Sequence, residues 1–222
     1  MLGILALVVP VVLQAEPDPG VRESLGKFSL GMSYEAFQKV AGTPSEAALL
    51  KHLRSHGGEA PWAKYGIAIA YFVAKEGNFT VRLTEAACKK QLKSLAPVHD
   101  HEDLCTFAFS KPNHRQPYRL SLASVRFERS DFRELIHSYF ERYGEATVDR
   151  SDPARNILWR FQVENNRYEA RVVASETQGF YRFELTARDL FAGGVRYGRE
   201  LKRTQEQEVG VDRHAGKGVL PH

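Results

Sequence analysis

The stretch LGMSYEAFQKVAGTP, Leu30 to Pro44, spells out a complete short helix. Gly31 breaks the extended lead. Ser33 offers a hydroxyl oxygen to the unpaired N–H groups of a first turn, and Glu35 sits where the helix dipole favours an anion. Tyr34, Phe37, Val40 and Ala41 recur at helical spacing and form one apolar face. Gly42 stops the helix, and Pro44 prevents its return. So short a helix is stable only against a partner. The rest of the chain must supply one.

Working outward, Ser45 to about His56 reads as a second short helix, ended by a loop at Gly57-Gly58. Tyr65 to Ala74 is apolar throughout, as a strand covered on both faces would be. Phe79, Val81 and Leu83 alternate with Thr80 and Arg82, so this next strand turns one side to water. Glu76-Gly77-Asn78 supplies the hairpin turn between them. Glu85 to Leu95 reads as a helix carrying Cys88. Cys105 to Phe109 and Tyr118 to Phe127 are further strands, joined by the loop KPNHRQP. The alternation changes phase near Leu122 and Ala123, which predicts a bulge.

The next stretch, SDFRELIHSYFERYGEA, carries apolar residues at Phe132, Leu135, Ile136, Tyr139, Phe140 and Tyr143. That is an amphipathic helix. Asp131 and Glu134 form a capping pair, and Gly144 ends the helix. Three alternating strands follow, at 157–163, 168–174 and 180–187. Beyond Ala192, Gly193-Gly194 opens a charged segment with few large apolar residues, which predicts a mobile tail to His222.

These elements predict an α+β fold. A helix ending in glycine and then antiparallel strands occurs twice, at 24–128 and 129–191, the pattern of two helix-plus-sheet units in tandem with helices on one sheet face. The stretch Leu30 to Pro44 resembles the glycine-methionine, helix, glycine-x-proline opening of the SmpA/OmlA family of small bacterial envelope proteins. It is also similar to each half of the β-lactamase inhibitor protein family. The resemblance implies a binding module of the cell envelope and carries over no catalytic residue. In the second unit only the helix and Gly144 match, with Ala146 where proline would stand.

The apolar run Leu2 to Leu13 is too short to cross a bilayer, which needs about 20 residues. It matches the core of a secretory signal peptide over 1–15, with no membrane span after its removal and a periplasmic or secreted location. No Lys or Arg precedes the run and no cysteine follows it. In an oxidising compartment the two cysteines, Cys88 and Cys105, suggest a disulfide. Reduced, buried thiols are the alternative.

VHDHEDLC, Val98 to Cys105, concentrates two histidines, three carboxylates and a cysteine. His99 and His101 on an extended segment would point the same way, with Glu102 or Asp103 as an oxygen donor, a partial zinc set. A solvated loop beside the cysteine pair is the simpler reading, and no cofactor is implied. His137 lies among Glu134 and Glu141 at helical spacing, so a solvated charged face explains it without catalysis. Trp62 and Trp159 read as packing residues.

Net charge is +4, but 27 acidic residues answer 31 basic ones. The bases are scattered along strands, which is not the pattern of a nucleic-acid binder. There is no phosphate-binding glycine loop, HExxH, GxSxG or CxxC. The function these features suggest is docking of an envelope protein through a sheet face or loop, without catalysis. The competing reading is an envelope enzyme or metal-binding protein using His99, His101 and Asp103.

Overall fold

The computed structural model describes residues 24–73, 76–92, 105–128, 141, 147–148, 157–163, 166–174 and 180–215. The elements are β1 (Ser24–Leu25), β2 (Phe28–Ser29), α1 (Tyr34–Ala41), α2 (Glu46–Ser55), β3 (Glu59–Trp62), a 3-10 turn (Ala63–Tyr65), β4 (Ile67–Phe72), β5 (Asn78–Leu83), α3 (Glu85–Gln91), β6 (Cys105–Ser110) and β7 (Arg119–Glu128). They continue as β8 (Thr147–Val148), β9 (Ile157–Val163), β10 (Asn166–Ala174), β11 (Phe180–Ala187) and α4 (Arg188–Ala215). β1 and β2 form a small ribbon. The other nine strands form one sheet in the order β3-β4-β5-β6-β7-β11-β10-β9-β8. The fold is α+β, with both sequence halves contributing to a single sheet joined where β7 pairs antiparallel with β11.

The three short helices begin alike. Ser33, Ser45 and Thr84 each accept the N–H three residues on, from Ala36 (3.2 Å), Ala48 (3.3 Å) and Ala87 (3.4 Å). Gly42 closes α1 in the left-handed region at φ 73, where its N–H donates to the Gln38 carbonyl. A residue with a Cβ is strained there. The apolar face of α1 is buried on the sheet. Phe37 lies 5.0 Å from Phe107 and 4.9 Å from Phe109 between ring centroids, and Tyr34 lies 5.0 Å from Phe109. Phe28 of β2 adds a contact to Phe107 at 4.6 Å. Offset and edge-on pairs at these separations stabilise beyond simple area burial.

β4 is shorter than the sequence suggests. The strand expected from Tyr65 starts at Ile67, because the 3-10 turn over Ala63–Tyr65 closes on Gly66 at φ 69. The bulge expected near Leu122 is present: Ala108 pairs with Leu122 and Phe109 with Leu120, leaving Ser121 as the extra residue. The Ser121 hydroxyl donates to the Ala108 carbonyl and accepts from Ser110, so both buried hydroxyls at the irregularity are paired.

Cys88 of α3 and Cys105 at the start of β6 are both fully buried and lie at disulfide distance, Cα atoms 5.8 Å apart. The apolar run near the N-terminus, the VHDHEDLC loop up to Leu104 and the helix expected over 132–143 lie outside the described residues, apart from Glu141, which is helical.

α4 corrects two expectations. The segment from Ala192 on, expected as a mobile tail, is helical through Ala215. It also lies on the opposite side of the sheet from α1, so the helices do not share one face. Asn78 and Ser110 alternate with Phe79 and Phe109, which face α1, and it is Asn78 and Ser110 that meet α4. Gly194 packs directly on Asn78, and Gly198 packs on the turn glycine Gly77. Asn78 Nδ2 donates to the Phe191 carbonyl at 3.4 Å. The glycines that suggest a break are the surface that lets the helix backbone come this close.

Two outcomes follow from this packing. In an exposed helix Gly→Ala stabilises by about 1 kcal/mol. At Gly194 the sign reverses, because the new Cβ meets Asn78 and Ser110; overpacking of this kind costs about 1–3 kcal/mol. A urea melt of Gly194→Ala should show a lower midpoint, and an unchanged or higher one would rule out close docking. Replacing both Cys88 and Cys105 by alanine should cost about 3 kcal/mol through the loop they close, measured as the stability difference from oxidised parent protein.

Candidate functional site

The face that carries α4 has a regular chemistry set by register. Arg82, Thr106, Ser124, Glu184 and Arg171 stand opposite one another in one row across five strands. In the next row Arg126 and Arg182 are direct cross-strand partners. On the other side run Thr80, Ala108, Leu122, Thr186, Glu169 and Arg160. From β5 to β9 these rows hold five arginines and two glutamates. The bases are dispersed along the chain, but the sheet gathers them on one side. Like charges directly opposite on a sheet are unfavourable, and the Glu184 carboxylate beside Arg182 offsets this one.

The two glutamates offset part of this charge. Glu169 lies 2.9 Å from Arg171, 3.5 Å from Arg160 and 3.8 Å from Arg188. Arg182 Nε lies 3.1 Å from Glu184 Oε1, an ion pair without hydrogen-bond alignment. Arg82 stacks over the Tyr71 ring at 5.4 Å. At the start of α4, Arg167 holds Asp189 in contacts of 2.5–3.1 Å, and this hydrogen-bonded guanidinium pulls the Asp189 carboxyl below its ordinary range.

Between these rows and α4 runs a groove of about 290 Å³, lined by Tyr71, Val73, Thr80, Arg82, Thr106, Ala108, Leu122, Ser124, Arg182, Glu184 and Phe191. Its two sides differ. Ala108, Leu122 and Phe191 make an apolar wall beside α4, while Arg82, Thr106, Ser124, Arg182 and Glu184 present hydroxyls, guanidinium groups and one carboxylate. Such a surface can bind and orient a ligand. In register, the Ser124 position stands directly opposite Glu184, itself a lining residue of the groove.

A second groove, about 310 Å³, lies between the end of α2 and the distal part of α4, lined by Arg54, Gly57, Gly58, Phe72, Glu76, Leu201 and Gln205. Its charges are already matched. Arg54 donates to both Glu76 carboxylate oxygens at 2.6 and 2.7 Å, and this bidentate pair holds the Glu76 carboxyl below its ordinary value. The Tyr118 hydroxyl donates to the Glu76 carbonyl, and burial, with the Glu76 charge beside it, pushes the phenol well up. Tyr34 is likewise pushed up to about 12 by burial. Both are structural hydroxyls.

At the sheet edge, Trp62 of β3 is half-buried and stacks on His52 of α2 at 4.2 Å, with Lys64 over its ring at 5.7 Å. Its role is packing at the sheet margin. His52 Nε2 sits 3.1 Å from the Pro61 carbonyl. His99, His101, Asp103 and His137 lie outside the described residues, as does the side chain of Trp159. Among the described residues, no group of three His, Cys, Asp or Glu could hold a metal ion, and no helix is long and apolar enough to cross a membrane. Sequence reasoning missed the arginine face. The signal was present: Arg82, Arg126, Arg160, Arg171 and Arg182 all fall at the polar positions of period-2 strands. Comparisons with protein-family models, with curated proteins and with solved structures returned no match.

The Arg54–Glu76 pair makes a pH prediction. Glu76 has a folded pKa lowered from the ordinary 4.5. Its contribution is therefore complete above the unfolded value and is lost as pH falls through the folded one. The pair is partly exposed, so its worth is about 0.2–1 kcal/mol. Glu76→Gln should be less stable than the parent at pH 7 by this amount, with the gap closing below pH 4.5. A gap that persists in acid would mean the loss is one of packing and not of charge.

Proposed function

We propose that this chain is a non-catalytic binding protein of the cell envelope, which docks a partner protein on the open, arginine-bearing face of its sheet. The observation that carries this reading is the register. It assembles Arg82, Arg126, Arg171 and Arg182 beside a groove whose other wall is apolar. Partly exposed guanidinium groups grouped around hydroxyls are a recognition surface, because Arg offers a rigid fork of donors to carboxylates. The opposite face is filled by α1, α2 and α3 over the core. The cell-envelope assignment is supported by the apolar run Leu2 to Leu13 and by the Cys88–Cys105 pair at disulfide distance, since disulfides persist in oxidising compartments.

A photo-crosslinking side chain placed at Thr106, and separately at exposed Lys51 on α2, tests the reading in the full-length chain. A discrete protein adduct from position 106, absent from position 51 and weakened by Arg182→Glu, is the expected result. Equal adducts from both positions, or none from 106, would remove the sheet face as the docking surface.

A further inference from the structure

The end of α2 carries chemistry of another kind. His52 lies in the last turn of the helix and His56 is its cap residue, one turn further on, with ring centroids 4.3 Å apart. We infer that this pair binds a late first-row transition-metal dication, Cu2+ foremost, through one nitrogen of each ring, with water in the remaining positions. The inference is independent of the docking reading above.

The hydrogen bonds decide which nitrogens are available. His52 Nε2 lies 3.1 Å from the Pro61 carbonyl. His56 Nδ1 lies 2.8 Å from the His52 carbonyl and 3.0 Å from Ser55 Oγ, which itself donates to the His52 carbonyl at 2.9 Å. A carbonyl oxygen only accepts, so each of these nitrogens carries a proton. In the neutral rings the lone pairs therefore sit on His52 Nδ1 and His56 Nε2, and neutral imidazole is the form that binds a metal. Metal-bound histidines ordinarily donate their other N–H to a carbonyl or carboxylate, which fixes the tautomer. Blocking the Pro61 carbonyl and capping the helix end use one nitrogen of each ring and leave the second.

The spacing points to the class of ion. Two imidazoles on one ion at the usual metal–nitrogen distance have ring centres about 4.5 Å apart for a right-angled pair and about 5 Å apart for a tetrahedral one. The observed 4.3 Å is nearer the right angle, which tetragonal Cu2+ and Ni2+ favour, and Cu2+ binds nitrogen sites most tightly in this series. Mg2+ and Ca2+ take oxygen ligands and are unsuited. Trp62 stacks on His52 at 4.2 Å and holds that ring, whereas His56 is exposed and its ring can turn to complete the angle. Lys64, 5.7 Å over the same indole, is an opposing charge that the coordination bonds must outweigh.

The stacked indole also supplies the readout, because Cu2+ on His52 quenches its emission. The probe is Cu2+ alone, titrated into the untagged, oxidised full-length chain in a non-chelating buffer. Saturable quenching should appear and should be largely lost in Trp62→Phe. His56→Gln should weaken binding at least about ten-fold, since even outer-shell changes cost that much at metal sites. His52→Gln should do the same. A His99→Gln/His101→Gln chain should retain the quenching, and at one equivalent its frozen-solution electron paramagnetic resonance spectrum should be tetragonal with splitting from two nitrogens. Because His52→Gln also removes the Trp62 stack, exposed His56 is the deciding position, with circular dichroism showing that the fold is kept. Undiminished affinity in folded His56→Gln would overturn the inference. So would quenching lost only in the His99→Gln/His101→Gln chain, which would move the ion to that loop.

Discussion

The packing of Tyr34 and Phe37 onto Phe79, Phe107 and Phe109 is the contact on which the described structure depends. It buries the one apolar face of α1. It also decides which side of β5 and β6 is interior. Because side chains alternate along a strand, a slip of one residue would exchange the two faces completely. Such a slip would place Thr80, Arg82, Thr106 and Ser110 under the helices and the phenylalanines in solvent. Burying a guanidinium there without a partner is far costlier than any local gain. The rings therefore fix the register, and through β6, β7 and β11 that register places the arginines on the other side. The face proposed for recognition is a consequence of the core behind it.

Much of this was open to reading from residue patterns. Ser33, Gly42 and Pro44 mark the ends of α1 by chemistry that acts within a few residues, and such signals survive into the fold. Alternation found β5, β6, β7, β9, β10 and β11, and the phase change marked the Ser121 bulge. Two kinds of information were not legible. Register between distant strands cannot be read from one strand at a time, so arginines spread from position 82 to 182 looked scattered. Docking of α4 was hidden because Gly193, Gly194 and Gly198 have poor helix propensity, and only the surface across from them explains their presence.

α4 shapes the site as much as the sheet does. Its first turn is held by the Arg167–Asp189 and Arg188–Glu169 pairs, and its glycines seat it on Gly77, Asn78 and Ser110. The helix consequently lies along one end of the strands, beside the groove. Phe191 becomes a wall of the groove by virtue of that placement. A larger residue at Gly194 would lift this wall, so stability of the helix seat and shape of the groove are one property.

The edge strand β3 adds a last constraint. Pro61 has no N–H to offer, and its carbonyl is already occupied by His52. A strand edge recruits another chain by presenting alternating donors and acceptors. This edge has lost one of each at the same residue, and the ring of Trp62 beside it is packed against His52. Backbone-to-backbone extension of the sheet at this margin is therefore disfavoured, including extension by another copy of the chain. Under the proposed docking reading, recognition falls to side chains on a broad face, where sequence can change partner preference without touching the ladder that holds the fold.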